Sequence, residues 1–141
     1  MRIEHTIYME PVPKGRPRTS FKNGKAQTYT PKDTVNAENQ IRSEVATLLA
    51  ELGRSDVIFE DEDYVRMNAT FYMTRPKSAK KRKLPNIKPD WDNMGKLLTD
   101  AINGFLYKDD KIITTALIKK RYGFPPRIEF ELYPDPDGED F

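Results

Sequence analysis

The chain has 141 residues, of which 37% are hydrophobic and 33% charged, with a formal net charge of +2. That length is one domain's worth, and the absence of cysteine and the single histidine, His5, exclude disulfide frameworks, thiol catalysis, iron–sulfur clusters and Cys- or His-rich zinc sites. No apolar run is long enough for a membrane span and no signal-peptide core opens the chain, so a cytoplasmic protein with no membrane partner is expected.

Residues 2–9 alternate, with Ile3, His5, Ile7 and Met9 on one face, and predict a strand in which His5 is packed rather than a ligand. Residues 11–29 read as a loop rich in proline, glycine and basic side chains. Thr30-Pro31-Lys32-Asp33 reads as a helix start, with Thr30 as N-cap and Pro31 at the first helical position. Ile41, Val45, Leu48, Leu49 and Leu52 then share a helical face, and Gly53 is a natural stop. A connection follows that carries the acidic run Glu60-Asp61-Glu62-Asp63, before a second alternating strand over 64–74. Residues 75–89 form a basic loop. A helix is predicted over 92–104, where Met94, Leu97, Leu98, Ala101, Ile102 and Phe105 line one face between Asp92 as N-cap and Gly104 as terminator. Residues 111–122 and 127–133 read as strands joined by Gly123-Phe124-Pro125-Pro126. The expected fold is α/β (α+β), a small mixed sheet in the order β-α-β-α-β-β with two helices packed on it. A single domain is expected over 1–133, followed by an acidic, disordered tail over 134–141.

The modest net charge hides segregation. Lys14–Lys25 holds five positive side chains and no acid, and Arg75–Lys88 holds seven and no acid. Two basic blocks on a nearly neutral chain point to a polyanionic partner, nucleic acid first, against the plainer reading of solvated loops. Lys14, Arg16 and Arg18 in one block and Lys80, Lys81, Arg82 and Lys83 in the other are the candidate DNA-binding residues.

Residues 88–112 hold five aspartates: Asp90, Asp92, Asp100, Asp109 and Asp110. In an extended segment Asp90 and Asp92 point to the same side. Asp92, Lys96, Asp100 and Asn103 would stripe one polar helix face, and a strand packed beside the helix start could return Asp109 or Asp110 towards the first pair. Converging carboxylates repel one another unless a cation sits among them, and their oxygens suit magnesium, manganese or calcium. On a phosphate substrate such a site performs metal-assisted phosphoryl transfer, with a lysine stabilising the developing charge. The plain alternatives are a helix cap, i,i+4 surface pairs and a turn. An EF-hand loop is excluded by spacing, since Met94 stands at its fifth position and Ala101 at its twelfth. No GxxxxGK[ST] or GxGxxG phosphate loop occurs.

The run Asp90-x-Asp92-Asn93-x-x-Lys96-x-x-x-Asp100-Ala101, followed by Asp109-Asp110 at a strand entry, resembles the RusA family of small, phage-associated endodeoxyribonucleases that resolve Holliday junctions. Lys14-Gly15-Arg16-Pro17-Arg18 and Tyr29-Thr30-Pro31 are similar to that family's N-terminal segment. The resemblance implies a catalytic set of Asp90, Asp92, Lys96 and Asp110. The three aspartates would hold the metal, with Asp109 the alternative third ligand if the register slips by one, and Asp100 would support. It also implies a magnesium cofactor with manganese able to substitute, a homodimer, a branched-DNA substrate cut by paired symmetric nicks in recombination and repair, and a bacterial host cytoplasm. The dimer has a separate argument, since a four-way junction is two-fold symmetric and a C2 dimer supplies two matching sites. Phe21, Tyr29 and Trp91 are candidates for stacking on bases at an open junction centre. The rival readings are a broader branched-DNA or flap nuclease, a non-enzymatic DNA-binding module, and a protein-interaction domain using the acidic tail.

Overall fold

The alternating stretches become strands and the 3.6-period stretches become helices. In chain order the elements are β1 (Ile3–Ile7), β2 (Arg18–Lys22), β3 (Lys25–Tyr29), α1 (Lys32–Glu51), β4 (Val65–Met73), α2 (Trp91–Ala101), β5 (Ile113–Tyr122) and β6 (Arg127–Pro134). The structure is a computed structural model, and it describes residues 1–139. Among them no helix is long and apolar enough to cross a membrane.

β1, β6, β4 and β5 form one mixed sheet in that order. β6 runs antiparallel to both β1 and β4, while β4 and β5 are parallel. A parallel pair needs a crossover, and α2 supplies it. Both helices pack on the same sheet face. Ile41 and Val45 of α1 and Met94, Leu97 and Leu98 of α2 meet Ile3, Ile7, Met67, Phe71, Ile128 and Leu132 in one core. β4 shows the pattern most clearly, with every second residue from Val65 to Met73 buried beneath the helices. The opposite face is polar. There Asn68 donates to Glu131 at 2.8 Å and to the Tyr133 hydroxyl at 3.1 Å, and Arg127 stacks over Tyr72 at 3.9 Å. Truncating Leu97 or Ile41, both wholly buried, to alanine is expected to cost about 2–5 kcal/mol of stability, read by denaturant unfolding.

The expected α+β class and the order of the main elements are borne out, with one element added. β2 and β3 pair as a separate two-stranded hairpin inside the segment read as a loop. Asn23 and Gly24 make its two-residue turn, both with positive φ, 55° and 74°. Asn-Gly is the residue pair this turn favours. The flanking strands concealed it because they have no core to alternate against: all five residues of β2 are exposed.

The helix starts shift by one or two residues. α1 begins at Lys32, with Pro31 rather than Thr30 in the N-cap position, and no side chain caps it. α2 begins at Trp91, with Asp90 rather than Asp92 in the N-cap position, and again no side-chain cap bond forms. At its other end α1 closes as expected. Gly53 takes φ +68°, its N–H donates to Ala50 O, and that of Arg54 donates to Leu49 O, a Schellman pattern. Leu52, expected on the apolar face, is the C-cap and is exposed.

The segment after residue 133, expected to be disordered, is folded as far as residue 139. Pro134 ends β6, and residues 136–138 form a short 3-10 turn. Asp135 is buried and accepts hydrogen bonds from the hydroxyls of Thr114 at 2.8 Å and Thr115 at 2.6 Å. Composition did not reveal this, because the partners are brought by β5. Residues 140 and 141 of the expected tail lie outside the described residues. The hydroxyl bonds from Thr115 and Thr114 hold the Asp135 carboxyl below its ordinary value. A depressed folded-state pKa gives stability that is complete above the unfolded value and fades as pH falls through the folded one. Asp135→Asn is therefore expected to lower Tm at neutral pH, with the gap to wild type closing as pH drops below about 4, read by thermal scans across pH.

Candidate active site

α2 is amphipathic, and its polar side faces away from the core beside β5. A groove of about 280 Å³ runs between them, lined among others by Trp91, Asp92, Lys96, Thr99, Asp110 and Ile118. Three of the sequence-derived candidates, Asp92, Lys96 and Asp110, therefore meet at one surface. Asp92 lies in the first turn of α2, where a carboxylate is favoured by the helix dipole. Lys96 stands one turn on, and its ammonium is 3.1 Å from Asp100 Oδ1 and 3.7 Å from Asp110 Oδ2. Asp110 begins a short 3-10 turn ahead of β5.

Asp109 is differently placed. Its carboxylate accepts the backbone N–H of Lys111 at 2.8 Å and caps the 3-10 turn. Asp90 precedes α2, is exposed, and does not line the groove. Among the described residues no three acidic or histidine side chains cluster closely enough to hold one ion. Two carboxylates facing one groove still fit a magnesium-type cation, which keeps several waters and takes one or two carboxylates plus substrate phosphate.

The electrostatics favour a charged lysine. The hydrogen bond to Asp100, then the fields of Asp100 and Asp110, push the Lys96 ammonium above its ordinary value of 10.5. Beneath it Tyr107 is wholly buried, and its hydroxyl donates to Thr99 O at 2.9 Å. Burial, reinforced by Asp110, Asp100 and Asp109, pushes that phenol far above its usual range, so it stays a donor. It ties the turn after α2 back onto the helix. Asn103, expected to extend the polar stripe, lies beyond the helix end, with its Oδ1 buried and unpartnered.

The basic candidates divide. Arg16, Arg18, Lys80, Lys81 and Lys83 are exposed. Arg82 is half-buried and donates to the Tyr122 hydroxyl at 3.3 Å. Arg75 stacks over the Tyr122 ring at 4.4 Å and donates to Ala79 O and Arg82 O, and Lys120 donates to Ile87 O. The 75–89 loop is thus pinned to the end of β5, with its lysines turned outward. Lys14 is not free, since its ammonium lies 2.8 Å from Glu38 and 3.5 Å from Asp100. Glu38 is the residue that sequence reasoning missed. Its only signal was an acid on the apolar face of α1, between Ala37 and Ile41. If Lys96 sets the alkaline limb of the rate profile, Asp100→Asn moves that limb to lower pH, because the first cause of its raised pKa is gone. Single-turnover rates measured across pH check this.

The site can be set beside known proteins. The family model described as "Endodeoxyribonuclease RusA" matches residues 9–133. A Bacillus subtilis (strain 168) protein, "Uncharacterized protein YqaN", is 35% identical over 138 residues, covering 90% of this chain and 92% of its own. The family match spans the basic N-terminal segment, both helices, β4, β5 and all but the last residue of β6, including every residue of the groove, and the chain belongs to the RusA endodeoxyribonuclease family, enzymes that act on DNA.

Proposed function

We propose that the chain is a magnesium-dependent resolvase that cuts four-way DNA junctions by paired symmetric nicks as a homodimer, in recombination and repair. The observation that carries the reading is the meeting of Asp92, Lys96 and Asp110 at one groove, flanked by outward-facing basic side chains. Asp92 and Asp110 would hold the cation, with Asp90, at the head of the same helix, completing the set of three acids that the family resemblance implies. When bound, the cation supplies Lewis-acid charge neutralisation at the phosphate and activates water. Manganese, with similar oxygen preferences, would substitute.

The chain's own residues do the rest. Lys96, kept protonated by Asp100 and Asp110, stabilises negative charge as it builds on the scissile phosphate. Asp100 holds that ammonium over the groove. The commitment of Asp109 to Lys111 N–H supports Asp110 as the third acid of the set. Arg16, Arg18, Lys80, Lys81 and Lys83 contact backbone phosphates, giving salt-dependent binding with little sequence content. Phe21 and Trp91, 80% and 60% exposed, offer rings for stacking on unpaired bases. A C2 dimer would bring two such grooves to the two-fold junction.

The test is a nicking assay on a labelled synthetic four-way junction beside linear duplex and a flap, with and without magnesium. Paired nicks on the junction, absent without metal, are expected. Asp92→Asn and Asp110→Asn should abolish them. Lys96→Met should slow single-turnover cleavage by about 10²–10³-fold, the range for removing one charge-stabilising donor. Phe21→Ala should weaken junction binding and leave Tm unchanged, since the side chain is exposed. Equal cutting of flaps would make this a broader branched-DNA nuclease, and junction binding without cleavage in magnesium or manganese would overturn the reading.

A further inference from the structure

Behind the groove lies a line of alternating charges that no DNA contact explains. It begins at Glu38, which is 6% exposed on the core-facing side of α1. A carboxylate in that position is tolerated only when its charge is balanced and its oxygens are hydrogen-bonded. Both conditions hold: Lys14 Nζ donates to Oε1 at 2.8 Å and Arg42 Nη2 to Oε2 at 2.8 Å. Lys14 reaches on to Asp100 Oδ2 at 3.5 Å, and the other oxygen of Asp100 meets Lys96 at 3.1 Å. Lys96 then faces Asp110 at 3.7 Å. The series Arg42, Glu38, Lys14, Asp100, Lys96, Asp110 thus runs from α1 to the groove, with the sign reversing at every step.

The backbone around Lys14 is fixed as firmly as its ammonium. Lys14 N–H donates to Asn93 O at 2.9 Å, at the start of α2. The next N–H, of Gly15, donates to Thr34 Oγ1 at 2.9 Å on α1. A Cβ on Gly15 would stand 2.7 Å from Thr34 Oγ1 and 2.8 Å from Pro31 Cγ, so the chain passes there only as glycine. Residues 14 and 15 therefore bridge the two helices, and Arg16 and Arg18 emerge beyond them into solvent. Swinging Lys14 out to a phosphate would remove one of two cations from a buried carboxylate.

We propose that Lys14 and Glu38 are positioning residues of the nuclease, holding Asp100 and through it Lys96 over the groove, and that Lys14 does not contact DNA. This rests on the nuclease reading above. It separates Lys14 from Arg16 and Arg18, its neighbours in the same basic block. The two roles leave different traces. A lysine on a phosphate contributes about one unit to the slope of log affinity against log salt. A lysine held in an internal ion network contributes nothing to that slope and acts on the rate at saturating DNA.

The experiment measures junction affinity across salt without metal, and single-turnover cleavage at saturating junction with magnesium, for wild type, Lys14→Met, Lys14→Arg, Glu38→Gln, the Lys14→Met/Glu38→Gln pair and Arg16→Met. Circular dichroism and Tm establish that each variant is folded. Lys14→Met and Glu38→Gln should each lower the saturated rate at least tenfold while keeping the wild-type salt slope. Lys14→Arg, which restores the cation, should recover most of the rate. The pair should lose little more than the worse single variant, since contacting residues in one network are not additive. Arg16→Met should lose about one unit of slope. A Lys14→Met protein with a slope reduced by one and a normal saturated rate would make Lys14 a phosphate contact and overturn the inference. So would a Glu38→Gln protein with lower Tm but an unchanged saturated rate, since the line would then be a brace alone. If Lys14→Met does not fold, Lys14→Arg and Glu38→Gln carry the same comparison. A wild-type protein that cuts no branched DNA in magnesium or manganese overturns the nuclease reading first, and that outcome is distinct from the other two.

Discussion

The parallel pairing of β4 with β5 is the constraint on which the rest depends. Adjacent parallel strands cannot be joined by a tight turn, so the chain must leave the sheet and return over one face. α2 is that return, and its buried row of Met94, Leu97, Leu98 and Ala101 seats it against the core with its polar row turned to the edge of β5. One apolar stripe thereby sets the orientation of Asp92, Lys96 and Asp100, and the landing point of the crossover sets that of Asp110. The basic 75–89 loop is the other half of the same crossover. Its pinning to Tyr122 and Lys120 follows from the strand it must come back beside.

Charge balance is the second organising term. The groove gathers Asp92 and Asp110 at one surface with Asp100 close by, and Lys96 offsets part of the repulsion. The remainder of the balance is carried inward, through Lys14 to the buried Glu38 and out again through Arg42. Exposed ion pairs contribute little to stability, but a carboxylate buried on a helix face cannot be left alone. The network ties α1, the N-terminal segment and α2 together at the point where the site is built.

Much of this was legible from residue order alone. Period-two alternation marked β1 and β4, because each has one face on the core and one on solvent or the open polar side, whereas the edge strand β5 carries no such alternation. Helical periodicity marked both helices, and Gly53 marked where α1 stops, whereas α2 ends at Ala101, short of the expected terminator Gly104. The hairpin of β2 and β3 had a visible turn, Asn23-Gly24, but residues 18–28 are exposed on both faces and carry no alternation to read. The fold of residues 134–139 was not legible, since acidic, proline-rich composition is the mark of a tail until Thr114 and Thr115 are known to stand beside Asp135.

The sequence by itself determined the class of chemistry: no thiols, one histidine, a spaced set of aspartates with one lysine, and basic segments suited to a polyanion. These are properties of residue type and spacing, and they survive any arrangement of the elements. Tertiary structure alone decided which acids share a surface, because sheet order and the direction of the crossover bring Asp110 to the groove, leave Asp90 at its margin and turn Asp109 onto a backbone N–H. It also decided that Lys14, one basic residue among several in its block, sits against a buried glutamate. Local sequence cannot encode that partnership, since the two residues are 24 positions apart and meet only when both helices dock on the same face of the sheet.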